Sequence, residues 1–331
     1  MLTRMQKLPA NHTSLSAPWV RWLIYPVMAT VLLYALGANF LYAGSVNGFD
    51  LGGALVPEEE IKHGGPPRDG IPAIDRPRFV TAGNANFLDA TDRVLGIDHN
   101  GVRKAYAVKI LNYHEIVNDR FGQEAVVVSY CPLCGTGMAF LASKDGSVRN
   151  FGVSGLLYNS DVLLYDRGTD SLWSQLMKQA IAGPLRGQRL QQIAMSHTRW
   201  DDWRKRHPDT LVLSKDTGSR RDYERSPYAG YESSRELYFP VSRMDPRYHP
   251  KELVIGLSVQ GMHKAYPFTE LSRTGGDIQD SIAGQVVRVR YDSHNRSGRV
   301  LAADGSELPT TISYWFAWQA FHPDSEVYTA P

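Results

Sequence analysis

The sequence predicts a chain of the α+β class, mostly β, in which an N-terminal transmembrane helix precedes two related β-rich modules. Three observations predict it: a long charge-free run near the N-terminus, short alternating runs bounded by turn residues, and a string that occurs twice. With 331 residues, 43% hydrophobic and 21% charged, the chain can bury sizeable cores, which excludes disordered, collagen-like and coiled-coil classes. Its 36 Lys and Arg against 34 Asp and Glu leave a formal charge of +2, too little for a phosphate-neutralising surface. Nucleic acid is therefore not an expected partner.

Residues 22–43 carry no charged side chain. As a helix they would measure roughly 33 Å, enough to cross a bilayer. Trp19, Trp22 and Tyr25 flank one end and Phe40 and Tyr42 the other, as interfacial aromatic belts do. A cleaved signal peptide is the competing reading, but the run exceeds the usual core of about 7–15 residues and no small-x-small cleavage site follows it. Arg4, Lys7 and Arg21 precede the run, whereas Asp50, Glu58, Glu59 and Glu60 follow it. The positive-inside rule then keeps residues 1–18 in the cytoplasm. On this reading residues 19–43 span the inner membrane once, the bilayer is a partner, and the main domain is periplasmic or extracellular.

Residues 44–78 contain seven glycines and five prolines and read as a linker. Beyond it, strand signals recur at residues 125–130, 160–166, 211–214, 252–259 and 286–291. Two helices are expected, at 198–206 and 313–321, each ended by a His-Pro pair. Residues 94–106 align with 254–266 at six of 13 positions, including Gly96 with Gly256 and Lys104-Ala105-Tyr106 with Lys264-Ala265-Tyr266. This predicts an internal duplication: module 1 over 79–189 and module 2 over 236–331. Residues 190–235, for which no second copy is found, read as an inserted helix-strand-loop segment.

The only two cysteines stand in Tyr130-Cys131-Pro132-Leu133-Cys134-Gly135-Thr136. Proline pre-sets the turn and glycine supplies a left-handed backbone position, so both sulfurs fold toward one point. Such a turn offers half of a tetrahedral site to a soft or borderline metal. His114 is the first choice to extend it and His322 the second. When the repeat is extended with one inserted residue, Cys131, Cys134 and His114 fall opposite Asp292, Asn295 and Thr274, which localises function to module 1. Two other readings stand beside the metal: a thiol-disulfide pair that cycles with a periplasmic partner protein, and a structural bridge.

Other motifs fail. Asn118 stands where His-Glu-x-x-His needs its second histidine, and neither a Gly-x-Gly-x-x-Gly run nor a phosphate-binding loop occurs, so no nucleotide cofactor is expected. The segments 111–119, 130–136, 151–161, 165–167, 171–175, 214–218 and 315–318 together resemble a bacterial and archaeal domain-of-unknown-function family, number 3179. The resemblance implies an extracytoplasmic, often membrane-anchored domain and no established activity. One departure is Tyr113, where that family often has Trp. Within these segments Glu115, Asn159, Asp161, Asp166, Arg167, Trp173 and Gln175 are candidates to orient a ligand or bind a polar substrate.

The sequence thus points to a membrane-anchored extracytoplasmic protein that binds copper or zinc through Cys131 and Cys134, for metal handling or metal-dependent catalysis. A thiol-disulfide oxidoreductase or redox sensor is the first alternative, and a non-enzymatic envelope ligand-binding or scaffold module the second.

Overall fold

The computed structural model describes residues 45–144 and 146–331. The alternating runs fold into five mostly antiparallel sheets of four or five strands, in the arrangement of a five-bladed β-propeller. The first sheet is built on the hairpin Arg93–His99 and Val102–Ala107, extended by Ser196–Arg199 on one side and by Leu211–Leu213 and Phe79–Thr81 on the other. Ile116–Phe121, Glu124–Cys131, Thr136–Leu141 and Gln192–Ile193 make the second. The third runs Ile61–His63, Phe151–Tyr158, Asp161–Asp166, Leu172–Ser174 and Gln179–Ala182. Leu253–Val259 and Met262–Pro267, with Thr311–Tyr314 and Glu326–Val327, form the fourth; the fifth comprises Asp277–Ile282, Gln285–Asp292, Ser297–Ala302 and Glu307–Leu308.

Five sheets replace the two modules expected from the repeat. The cause is pairing between strands remote in sequence, which no local pattern reveals. Ile61–His63, inside the Gly/Pro-rich stretch, pairs with Leu156, Leu157 and Tyr158. Ser196–Arg199 returns to residues 93–96, and Gln192–Ile193 to Phe140 and Ala139. The stretch 44–78 also supplies Phe49, Leu51, Val56 and Ile61 to a buried cluster with Leu156, Leu163 and Tyr165.

The repeated string marks two hairpins of identical register, Gly96 opposite Ala105 and Gly256 opposite Ala265. Among the described residues the α-helices are α1 (Val108–Leu111), α2 (Trp200–Arg206), α3 (Phe268–Leu271) and α4 (Trp315–Phe321). Trp200 and Trp203 of α2, three residues apart and so on one face, are both buried, as are Trp315 and Trp318 of α4. The Trp203 ring lies over Gly96 and the Trp318 ring over Gly256, so those glycines exist to admit an indole. Each indole N–H is satisfied nearby, Trp203 by Thr210 Oγ1 at 3.0 Å and Trp318 by Ser325 Oγ at 2.9 Å. Over residues 196–213, the segment read as lacking a second copy thus has a counterpart in residues 311–327. The shared Lys has a role too: Lys104 Nζ donates to both Asp119 oxygens at 2.8 Å, and Lys264 lies 2.9 Å from Asp280, each bridging a hairpin to the next sheet.

The transmembrane expectation is corrected as well. Among the described residues no helix is long and apolar enough to cross a membrane, and the longest have seven residues. The span placed at 19–43 lies outside the described residues. The structure therefore gives no support to a membrane anchor, to a bilayer partner or to a single-pass inner-membrane location.

A Cβ added at Gly96 or Gly256 would enter the ring of its covering Trp. Gly96→Ala and Gly256→Ala should each lower the stability measured by urea unfolding by about 1–3 kcal/mol, the usual range for an overpacked core. Gly305→Ala, where an added Cβ meets open space but φ is positive, should cost about 1 kcal/mol through the backbone alone.

Candidate metal centre

Strand Glu124–Cys131 carries Cys131 at its last position, and the returning strand sets Thr136 opposite it. The intervening turn, Pro132 to Gly135, needs a left-handed residue to close, and Gly135 provides it at φ 60°. A side chain there would also strike the Tyr314 ring. The Cys134 carbonyl accepts from Thr136 Oγ1 at 3.1 Å and from the Tyr314 N–H at 2.8 Å, so the fourth sheet pins the turn from outside.

The third sheet brings the other wall. Tyr158 pairs with Asp161, leaving Asn159-Ser160 as a two-residue loop with φ of 50° and 62°. Two consecutive positive φ values are the signature of a type I′ hairpin, whose first position favours Asn. Asn159 Oδ1 accepts from the Ser242 N–H at 2.6 Å, and Ser160 Oγ donates to the Phe239 carbonyl at 2.7 Å, which hook the segment 239–242 over the hairpin tip. The Ser160 carbonyl faces the thiols and accepts from Cys134 Sγ at 3.4 Å and, more weakly, from Cys131 Sγ at 3.7 Å. The next residue, Asp161, completes a cluster in which one carboxylate oxygen and both sulfurs lie within 4.8 Å of one another.

The cluster is dry: Cys131, Cys134 and Asp161 are 1%, 0% and 0% exposed. Burial raises the Cys131 thiol and pushes Cys134 well above its ordinary value, where the neighbouring Cys131 raises it further. Burial also lifts Asp161 to about 7, against the pull of the Leu176 and Val162 N–H groups. Asp161 Oδ2 accepts from the Leu176 N–H at 3.0 Å, whereas Oδ1 is buried and receives no N–H or O–H donor. Two thiols and a carboxylate with one unspent oxygen are the donor set of a borderline cation, and the residues present fit one.

Beside the cluster lies an apolar cavity of about 320 Å³, lined among others by Leu133, Val162, Tyr228, Tyr238 and Phe239. Leu133 sits between the cysteines and Val162 follows Asp161, so the cavity lies beside the cysteine turn and the Asp161 hairpin. One carboxyl group lines it: Glu115, buried, in a left-handed backbone conformation (φ 57°). Burial first, and then the Asp161 carboxylate, push it up to about 8.

Residues 68–304 match the family described as Protein of unknown function (DUF3179). The chain belongs to that family. No curated protein and no solved structure matches it significantly.

In this DUF3179 chain the other sequence candidates lie apart from the thiols. His114 is buried but does not join the cluster: Nδ1 bonds to the Pro72 carbonyl at 2.7 Å and Nε2 to the Tyr223 hydroxyl at 2.6 Å. His322 stacks on His263 with ring centroids 4.0 Å apart, and burial holds it down at about 3. Asp166 ties its own turn, accepting from the Gly168 and Thr169 N–H groups, from Thr169 Oγ1 at 2.7 Å and from Trp173 Nε1 at 3.1 Å. Arg167 pairs with Asp75 and Asp69. Trp173 is core, edge-on to Phe151. Gln175 braces the cysteine hairpin from below, donating to Ser129 Oγ at 2.8 Å and to the Thr136 carbonyl at 3.3 Å. Sequence reasoning missed the Ser160 carbonyl and placed Asp161 among substrate or supporting groups. The signal was there in Asn159-Ser160, a hairpin dipeptide between two apolar runs.

The raised acids make a signed pH prediction. An acid whose folded pKa exceeds its unfolded value destabilises the fold as pH rises from the unfolded toward the folded value. For Glu115 that window runs from about 4.5 to about 8. Metal-free wild type should therefore lose stability relative to Glu115→Gln between pH 5 and pH 8, as read by urea unfolding at each pH. Parallel curves across that range would show that Glu115 is not held protonated.

Proposed function

We propose that the protein holds one borderline divalent cation, zinc first, on the thiolates of Cys131 and Cys134 and on Asp161, as a resident centre for chemistry on a small molecule. The observation that carries this reading is the buried Asp161 Oδ1, without an N–H or O–H donor, beside two thiols. Two soft donors with one hard donor suit zinc; copper(I), served by sulfur alone, leaves the carboxylate without a role. Cys131, Cys134 and Asp161 would hold the ion, and zinc held by three protein ligands would supply Lewis-acid chemistry to a small molecule. Glu115, in the adjoining cavity and raised to about 8, is the group of this chain placed to exchange a proton there, as the donor at neutral pH and as the acceptor once it ionises.

Burial counts against the competing readings. A protein that passes metal or electrons to a partner presents at least one reachable, readily ionised thiol. Here both sulfurs are sealed by the hairpin tip and the fourth sheet, and burial raises both pKa values. A resident ion fits such a place better than a shuttled one.

The test is metal analysis of the purified chain after incubation with zinc and exhaustive dialysis. Wild type should retain about one zinc per chain, Cys131→Ser and Cys134→Ser almost none, and Asp161→Asn should bind at least roughly tenfold more weakly. Affinity should rise with pH, since both thiols, and Asp161 below about 7, must first give up protons. Stoichiometric zinc in both cysteine variants would overturn the assignment.

A further inference from the structure

Pro132 and Gly135 of the cysteine turn also line a second cavity, of about 170 Å³, whose other walls are polar and aromatic. Two polar atoms among its lining side chains have no partner: His197 Nδ1 and the Tyr231 hydroxyl. Both residues are deeply buried, at 6% and 2% exposure. A buried hydrogen-bonding group without a partner is costly, and two of them on residues that line one cavity mark a place where a ligand would supply the missing atoms.

The charge of the cavity narrows that ligand. Arg93 donates to three neutral acceptors, the carbonyls of Asn295 at 2.5 Å, His197 at 2.8 Å and Arg296 at 3.0 Å. It has no ion-pair partner among the described residues, while Arg296, also in the wall, is already paired with Glu232 at 2.8 Å. Burial lowers Arg93 only to about 10, so it is a cation at neutral pH. Burial, together with Arg93 and Arg296, holds His197 neutral. The lining thus carries one uncompensated positive charge. Tyr130, Tyr314, Leu253 and Pro132 supply flat and apolar surface around it.

The geometry points to a binding site for a small monocarboxylate with an aromatic or branched apolar body. Its two oxygens would accept from the Tyr231 hydroxyl and the His197 ring, its charge would answer Arg93, and its body would lie against Tyr130 and Tyr314. This site is separate from the metal reading and does not rest on it.

Calorimetric titration of the full-length chain with benzoate, acetate and inorganic phosphate tests it. Benzoate should bind once per chain and at least roughly tenfold more tightly than acetate, with phosphate weaker than either. Tyr231→Phe removes a hydroxyl that makes no close hydrogen bond in the protein and feels only the Tyr238 backbone, so its thermal midpoint should change little, while benzoate affinity should drop by roughly tenfold or more. Absence of benzoate binding, a preference for phosphate, or unchanged affinity in Tyr231→Phe would each overturn the assignment. The titration is run on protein as purified, so its failure is distinct from a failure to bind zinc.

Discussion

Desolvation of three acids at one point governs this structure. Cys131, Cys134 and Asp161 meet where two sheets converge, and with essentially no exposure none can carry a charge cheaply unless a counter-charge arrives. Without a cation they are held toward their protonated forms; with one, the same burial strengthens every bond to it. The surroundings preserve that choice. A type I′ tip aims the Ser160 carbonyl at both sulfurs, Gly135 lets Tyr314 close over the turn, and Gln175 braces the strands beneath.

The site needs convergence of remote strands, and its legibility in the sequence varied accordingly. The tight cysteine turn could be read because proline and glycine act locally. The helices could be read to within two residues, expected at 198–206 and 313–321 and found at Trp200–Arg206 and Trp315–Phe321, because a His-Pro stop ends each locally. The repeated glycines could be seen but not explained, since the indoles that cover Gly96 and Gly256 lie about 107 and 62 residues further along the chain. Asp161 was visible as a polar residue near the cysteines, yet its approach depends on a hairpin from another sheet. His114 lies 17 residues before Cys131 along the chain, yet its ring is engaged by Pro72 and Tyr223. The five-sheet topology was beyond local reading, because Ile61–His63 and Ser196–Arg199 complete sheets begun far away.

The cysteine turn serves two environments. One side of it presents sulfur to Asp161 and adjoins the apolar cavity with Glu115; Pro132 and Gly135 line the cationic cavity with Arg93. Both cavities touch Tyr228, and Tyr231 packs in the same core cluster as the cysteines. The segment 226–242, which forms no strand, supplies these tyrosines and hooks onto Asn159 and Ser160. A loop tied down at the site in this way is where specificity is expected to reside.

Zinc-edge X-ray absorption spectroscopy of the zinc-loaded chain tests the central claim most directly. Ligation by Cys131, Cys134 and Asp161 predicts a four-coordinate first shell with two sulfur scatterers at about 2.3 Å and oxygen scatterers at about 2.0 Å. A shell of nitrogen and oxygen alone, or one of four sulfurs shared between two chains, would contradict it.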